Sequence, residues 1–201
     1  MTVTPMGAAM VTVHAVRERF DRFHAWRSNT GFLPMLALAL GWAALMGLLA
    51  QVRIVLPFTP VPFTMQVFGT LLAAAVLGLR WGAASQGLYL GLGAAGLPVF
   101  QGAKAGLAHL AGATGGYLLA MPVAAALVAV VAARAPGYGR LVLAMLAGVA
   151  VIYAGGMAGL VVVLNLDLPR AFMLGVAPFV ALDVGKALLA AGLARGVGAR
   201  A

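Results

Sequence analysis

From about residue 32 to residue 194 the sequence is a succession of apolar runs with almost no charge inside them. The hydrocarbon core of a bilayer is crossed by about 20 residues of helix, and several of these runs reach or approach that length. A backbone amide in lipid has no water to bond, so each run must close its hydrogen bonds within itself, as helix. Composition agrees. Only 8% of residues are charged and 64% are hydrophobic, with a mean hydropathy of +1.06. Soluble domains carry about 25% charge. The chain therefore reads as an all-α integral membrane protein, and its 27 glycines point to helices that approach one another closely.

Six spans are expected: Phe32–Gln51, Phe63–Leu79, Gly82–Leu97, Tyr117–Ala133, Leu141–Leu164 and Ala171–Ala194, the last interrupted by Pro178. Residues 1–31 form a separate N-terminal arm, and 32–201 form the membrane domain. The arm is basic and aromatic, with Arg17, Arg19, Arg22 and Arg27. It suits either an interfacial helix near anionic headgroups or a disordered tail. It does not read as a cleaved signal peptide, because the apolar run after it is too long and no small-residue cleavage site follows. Between the first two spans, Pro57, Pro60 and Pro62 forbid a continuous helix and predict an extended, β-like or loop element at the membrane edge. Residues 97–116, rich in glycine, form a long connection of the kind that lines sites.

Six spans place both ends of the chain on one side. The arm arginines, Arg80, Arg134, Arg140, Arg195 and Arg200 then share that side, while Arg53, Lys104 and Arg170 lie opposite. This bias orients the termini to the cytoplasm and leaves the proline-rich element and the 97–116 connection outside. It also accounts for the net charge of +9 without nucleic acid. No cysteine is present, and His14, His24 and His109 have no metal-ligand spacing. Hydrolase, zinc-protease and P-loop patterns are absent, so neither an enzyme nor a resident cofactor is expected.

Asp183 and Lys186 break the apolar rule. A charge at the centre of a bilayer costs about 2.5–3.5 kcal/mol on insertion scales. At i and i+3 the two share a helical face. They form either a packing ion pair or the floor of a pocket beneath the outer elements. Such a pocket suits a small solute with both donors and acceptors. Lys104 could add a positive group, and Phe100, Tyr89 and Tyr117 could form walls, although core packing is the default for aromatic residues. In the first span Ala39, Ala43 and Gly47 make a stripe of small residues, fit either for packing within the chain or for docking a partner.

Four motifs carry a resemblance: Pro60-Val-Pro-Phe-Thr-Met-Gln66, Gly96-Leu-Pro-Val-Phe100, Gly115-Gly-Tyr117, and Gly175-Val-Ala-Pro-Phe179 followed by Asp183-x-x-Lys186. Together, over roughly residues 35–194, they resemble the BioY family, the biotin-binding S components of energy-coupling factor transporters. The resemblance implies a six-helix fold in the bacterial cytoplasmic membrane that takes up biotin from a pocket open to the extracytoplasmic side. It implies a transmembrane coupling subunit and two ABC ATPase subunits as partners, with ATP hydrolysed there. Asp183 and Lys186 match the family's acid and base, the loop around Gln101 and Lys104 its lid, and Ala39/Ala43/Gly47 its docking stripe. The candidate substrate site on this reading is Asp183, Lys186, Lys104, Gln101, Phe100, Tyr89, Tyr117 and Gln66. Two local departures stand out: Ala181-Leu182 where the family often has Pro-Gly, and Gly112-Ala-Thr-Gly-Gly116 where it often has Gly-Pro-Thr-Gly-Gly. An S component for another vitamin, or a structural membrane protein with a packing ion pair, are the alternatives.

Overall fold

A computed structural model describes residue 25, residues 29–133 and residues 137–196. The arm arginines, Arg134 and Arg200 lie outside the described residues. Helix α1, Phe32–Gln51, matches the expected first span. The proline-rich stretch that follows is the connection of a small antiparallel hairpin. Its strand β1, Arg53–Ile54, pairs with β2, Phe63–Thr64, with Arg53 opposite Thr64 and Ile54 opposite Phe63.

The second and third expected spans emerge as one element, α2, Gln66–Ala94, broken at Gly78. Gly78 has φ 75° and ψ −175°, a conformation open to glycine and closed to most other residues. The break reverses the chain. Gln66 and Tyr89 are 23 residues apart, yet their side chains hydrogen-bond at 2.9 Å. A continuous helix would hold them about 34 Å apart. Thr70 and Gln86 likewise meet at 3.1 Å. The two arms of α2 thus run antiparallel, joined by buried polar side chains.

The 97–116 connection contains the short helix α3, Leu107–Leu110, and ends at α4, Gly115–Ala133. Helix α5 is Tyr138–Leu164. The expected sixth span is a broken pair, α6, Leu168–Gly175, and α7, Val180–Gly196, bent by 56°. Among the described residues, four helices (α1, α2, α4 and α5) are long and apolar enough to cross a membrane, and a fifth span arises if α6 and α7 count as one. Their outer faces carry exposed Leu33, Leu48, Leu119, Val123, Leu143, Val162 and Leu189. Such surfaces suit lipid. The protein is multi-pass and helical.

Packing follows residue size. Ala187, Ala190, Ala191 and Ala194 recur on one face of α7 and are fully buried, letting α7 press onto α2 and α5. Ala39, Ala43 and Gly47 are buried too, on the face of α1 that packs within the chain, and Val99 covers Gly47. The stripe read as a docking face is therefore internal. Small side chains there let α1 lie close to α2, where the Trp42 indole N–H donates to the Gly69 carbonyl at 3.1 Å.

Candidate substrate site

The site is built on the break between α6 and α7. Pro178 has no N–H, so it cannot bond the carbonyl of Leu174 one turn back. That carbonyl accepts instead from the Thr59 hydroxyl, at 2.6 Å, reaching across from the β1–β2 connection. Next in line, the Phe179 N–H turns to Val176, and the Gly175 carbonyl accepts from the Tyr117 hydroxyl at 2.8 Å. Exposed helix breaks are not tolerated in lipid; this one persists because neighbouring side chains take up the freed carbonyls. Gly156 and Gly175 leave the space the Tyr117 ring occupies, since a Cβ at either would collide with it.

Beyond the break, α7 opens with Asp183 in its first turn and Lys186 one turn on. Their side chains meet at 2.6 Å and are only 3% and 5% exposed as residues. Lys186 Nζ also donates to the Thr64 carbonyl at 2.6 Å and lies 3.8 Å from the centre of the Phe63 ring. An ammonium has three donors. Here two are spent on oxygens, and the charge rests on an aromatic face. Asp183 is differently placed. One oxygen accepts from Lys186 and the other from the Tyr153 hydroxyl at 2.7 Å. A carboxylate offers about four lone-pair sites, so it retains acceptor capacity. The pair thus presents a charged, oriented acceptor and an ammonium mainly committed to the protein.

A cavity opens over this pair, about 570 Å³ including its mouth. It is lined by β2 and the residues before it (Val61, Pro62, Phe63, Thr64), by Gln66 and Val67, and by Gln101 and Thr114. The helices supply Tyr117, Leu118, Met121, Ile152, Tyr153, Gly175, Phe179, Asp183 and Lys186. The walls are mainly apolar and the polar groups few and convergent, the usual composition of a small-molecule site.

Of the residues singled out in the sequence, Asp183, Lys186, Gln66, Gln101 and Tyr117 line this cavity. Phe100, Tyr89 and Lys104 do not. Phe100 is fully buried, stacked on His109 with centroids 5.0 Å apart and edge-on to Tyr89 at 5.6 Å. Tyr89, also fully buried, accepts from the Gln66 amide and donates to the Val99 carbonyl at 3.3 Å. These aromatic groups lie beneath the loop instead of facing the cavity. The Lys104 side chain is exposed, and its carbonyl accepts from the Phe100 N–H. Sequence reasoning missed Tyr153, Thr114, Phe63 and the Thr64 carbonyl. A lone tyrosine in an aliphatic span, two residues before Gly155-Gly156, was a usable signal for Tyr153. A backbone carbonyl leaves none.

The BioY family model matches residues 21–201. A protein named biotin transporter BioY from Thermotoga maritima is 40% identical over 139 residues, covering 68% of this chain and 80% of that one. The biotin transporter BioY of Rhizobium etli is 35% identical over 178 residues, covering 84% of this chain and 94% of that one. A crystal structure of the S-component for biotin from an ECF-type ABC transporter superposes with a TM-score of 0.76 at 26% identity, covering 81% of this chain and 89% of that one.

Proposed function

The chain belongs to the BioY family, and on that premise we propose that it captures biotin for uptake across the membrane as the substrate-binding component of an energy-coupling factor transporter. It is a transport protein, not an enzyme. The observation that carries the substrate is the buried acceptor Asp183, oriented by Lys186 and Tyr153 at the floor of an apolar cavity. The ureido group of biotin has two N–H donors and one carbonyl. Asp183 accepts from the ureido N–H, using lone pairs its two protein partners leave free. Lys186 acts chiefly by orienting Asp183 and holding β2 in place, since its donors are already engaged. Tyr117, Phe179 and Ile152 supply apolar wall, while Gln66, Gln101 and Thr114 supply the remaining polar contacts.

The rest of the architecture follows on the same reading. The two arms of α2 each count as a span, giving six. The termini face the cytoplasm of a bacterial cell, and the hairpin β1–β2 and the 97–104 segment close the cavity from outside. Biotin is the cargo, with no resident cofactor. A transmembrane coupling subunit and two ABC ATPases supply the energy. Because Ala39, Ala43 and Gly47 are covered, the face offered to the coupling subunit is the one a step round α1, where Ala37, Gly41 and Ala44 are exposed.

Thermal-shift measurements on the purified protein with a panel of vitamins test the substrate. Selective stabilisation by biotin, growing as RT ln(1 + [L]/Kd), is expected. Stabilisation by a different vitamin, or by none, would replace this reading.

A further inference from the structure

We infer that Gln51, the last residue of α1, is the positioning residue of the lid turn Phe100–Lys104, and that it controls substrate exchange without lining the cavity. This inference rests on the reading of that segment as the lid of a biotin site.

The side-chain amide of Gln51 grips the turn with both ends. Nε2 donates to the Phe100 carbonyl at 3.1 Å and to the Gly47 carbonyl of its own helix at 3.0 Å. Oε1 accepts from the Ala103 N–H at 3.1 Å. The turn needs such a hold. Phe100 N–H closes it on the Lys104 carbonyl at 3.0 Å, and both residues at its tip are left-handed, Gly102 at φ 73° and Ala103 at φ 57°. Glycine adopts that region freely, but alanine does so at a cost. The Ala103 N–H is the very group that Gln51 fixes. The remaining contacts fit one register. Gly102 leaves room for the Arg53 guanidinium, which donates to the Gln101 side-chain oxygen at 3.4 Å, and the Tyr89 hydroxyl holds the adjoining Val99 carbonyl from beneath.

Gln101 is the member of this turn that lines the cavity. Gln51 is anchored to α1, so a rigid helix end sets where Gln101 stands over the substrate. Removing the amide frees the turn to leave its register. The lid then opens more often, and entry and exit both quicken.

The test is the association and dissociation of biotin, measured by stopped flow on the full chain in lipid nanodiscs. The variants are Gln51→Leu, Gln51→Glu, Gln101→Ala and the Gln51→Leu/Gln101→Ala double. Gln51→Leu is expected to raise the dissociation rate roughly five- to tenfold, the factor set by one or two net hydrogen bonds, with association undiminished or faster. Gln51→Glu keeps the acceptor for Ala103 and loses the donor to Phe100, so it falls between wild type and Gln51→Leu. It also serves if Gln51→Leu does not fold. On the Gln101→Ala background, Gln51→Leu should add less than twofold, because its effect travels through Gln101. A residue that merely caps α1 would lower Tm and the active fraction while leaving both rate constants unchanged. That result, or full additivity with Gln101→Ala, overturns the inference. Wild-type protein that binds no biotin removes the underlying reading and this inference with it. Wild-type binding with unchanged variants removes this inference alone.

Discussion

Replacing the Asp183–Lys186 pair singly and together separates a substrate site from a packing device. Lys186→Met keeps the aliphatic stem and removes the ammonium. Asp183 then keeps the Tyr153 hydroxyl as partner, in a position 3% exposed, and the Thr64 carbonyl loses its donor. Breaking a buried pair from one side costs about 3–5 kcal/mol, a large part of a typical total stability of about 5–15 kcal/mol. The double variant Asp183→Leu/Lys186→Met leaves no charge behind. Its residual cost is the orphaned Thr64 carbonyl and Tyr153 hydroxyl, each about 1–3 kcal/mol and lessened by water entering the cavity. Expected melting temperatures therefore rank wild type first, the double variant second and Lys186→Met last. Binding ranks differently. Both variants lose the oriented carboxylate, by displacement or deletion, and a loss of about 3 kcal/mol weakens biotin at least 100-fold. Isothermal titration with biotin and thermal unfolding on the same samples read both orders. A double variant that binds biotin like wild type would show that the pair only packs α7. A double variant less stable than Lys186→Met would refute the charge argument itself.

Thr59→Val should destabilise the protein by about 1–3 kcal/mol, because the Leu174 carbonyl freed by Pro178 loses its donor; Thr59→Ser should restore most of the melting temperature, and equal values for both variants would remove the hydroxyl from the account. Tyr153→Phe should keep the fold and weaken biotin roughly three- to tenfold, since one net hydrogen bond orients Asp183; unchanged affinity in a titration would show that Lys186 alone suffices. His109 lies on α3, outside the membrane-spanning helices. Burial, and then the nearby Lys104 charge, hold its imidazole below the ordinary value, and its Nε2 has no hydrogen-bond partner among the described residues. The unfolded chain therefore protonates first. Stability is expected to be level above the ordinary imidazole range, near 6.5, and to fall as pH drops through it. His109→Gln should flatten that part of a Tm-against-pH curve, and an unaltered curve would assign the effect elsewhere.

The sequence is most legible where a single physical constraint dominates. Apolar length alone located α1, α4 and α5 to within a few residues. Three prolines placed the irregular hairpin connection, and Pro178 the break in the last span. Charge cost alone singled out Asp183 and Lys186, and the i,i+3 spacing put them on one face. What sequence could not give was direction. Ala39, Ala43 and Gly47 look the same whether they face a partner or the chain's own helices, because both contacts reward small residues. Phe100 and Tyr89 are apolar enough for a cavity wall or for the packing beneath a loop, and only the path of the chain from Leu97 to Lys104 turns them under it. The partners of Asp183 and Lys186 come from α5 and β2, 30 and 122 residues away. Local pattern carries no record of such separations. An apolar sequence thus fixes which segments leave water, since lipid acts on each segment separately. Which faces then meet, and what a buried pair of charges grips besides each other, is settled only when the helices pack.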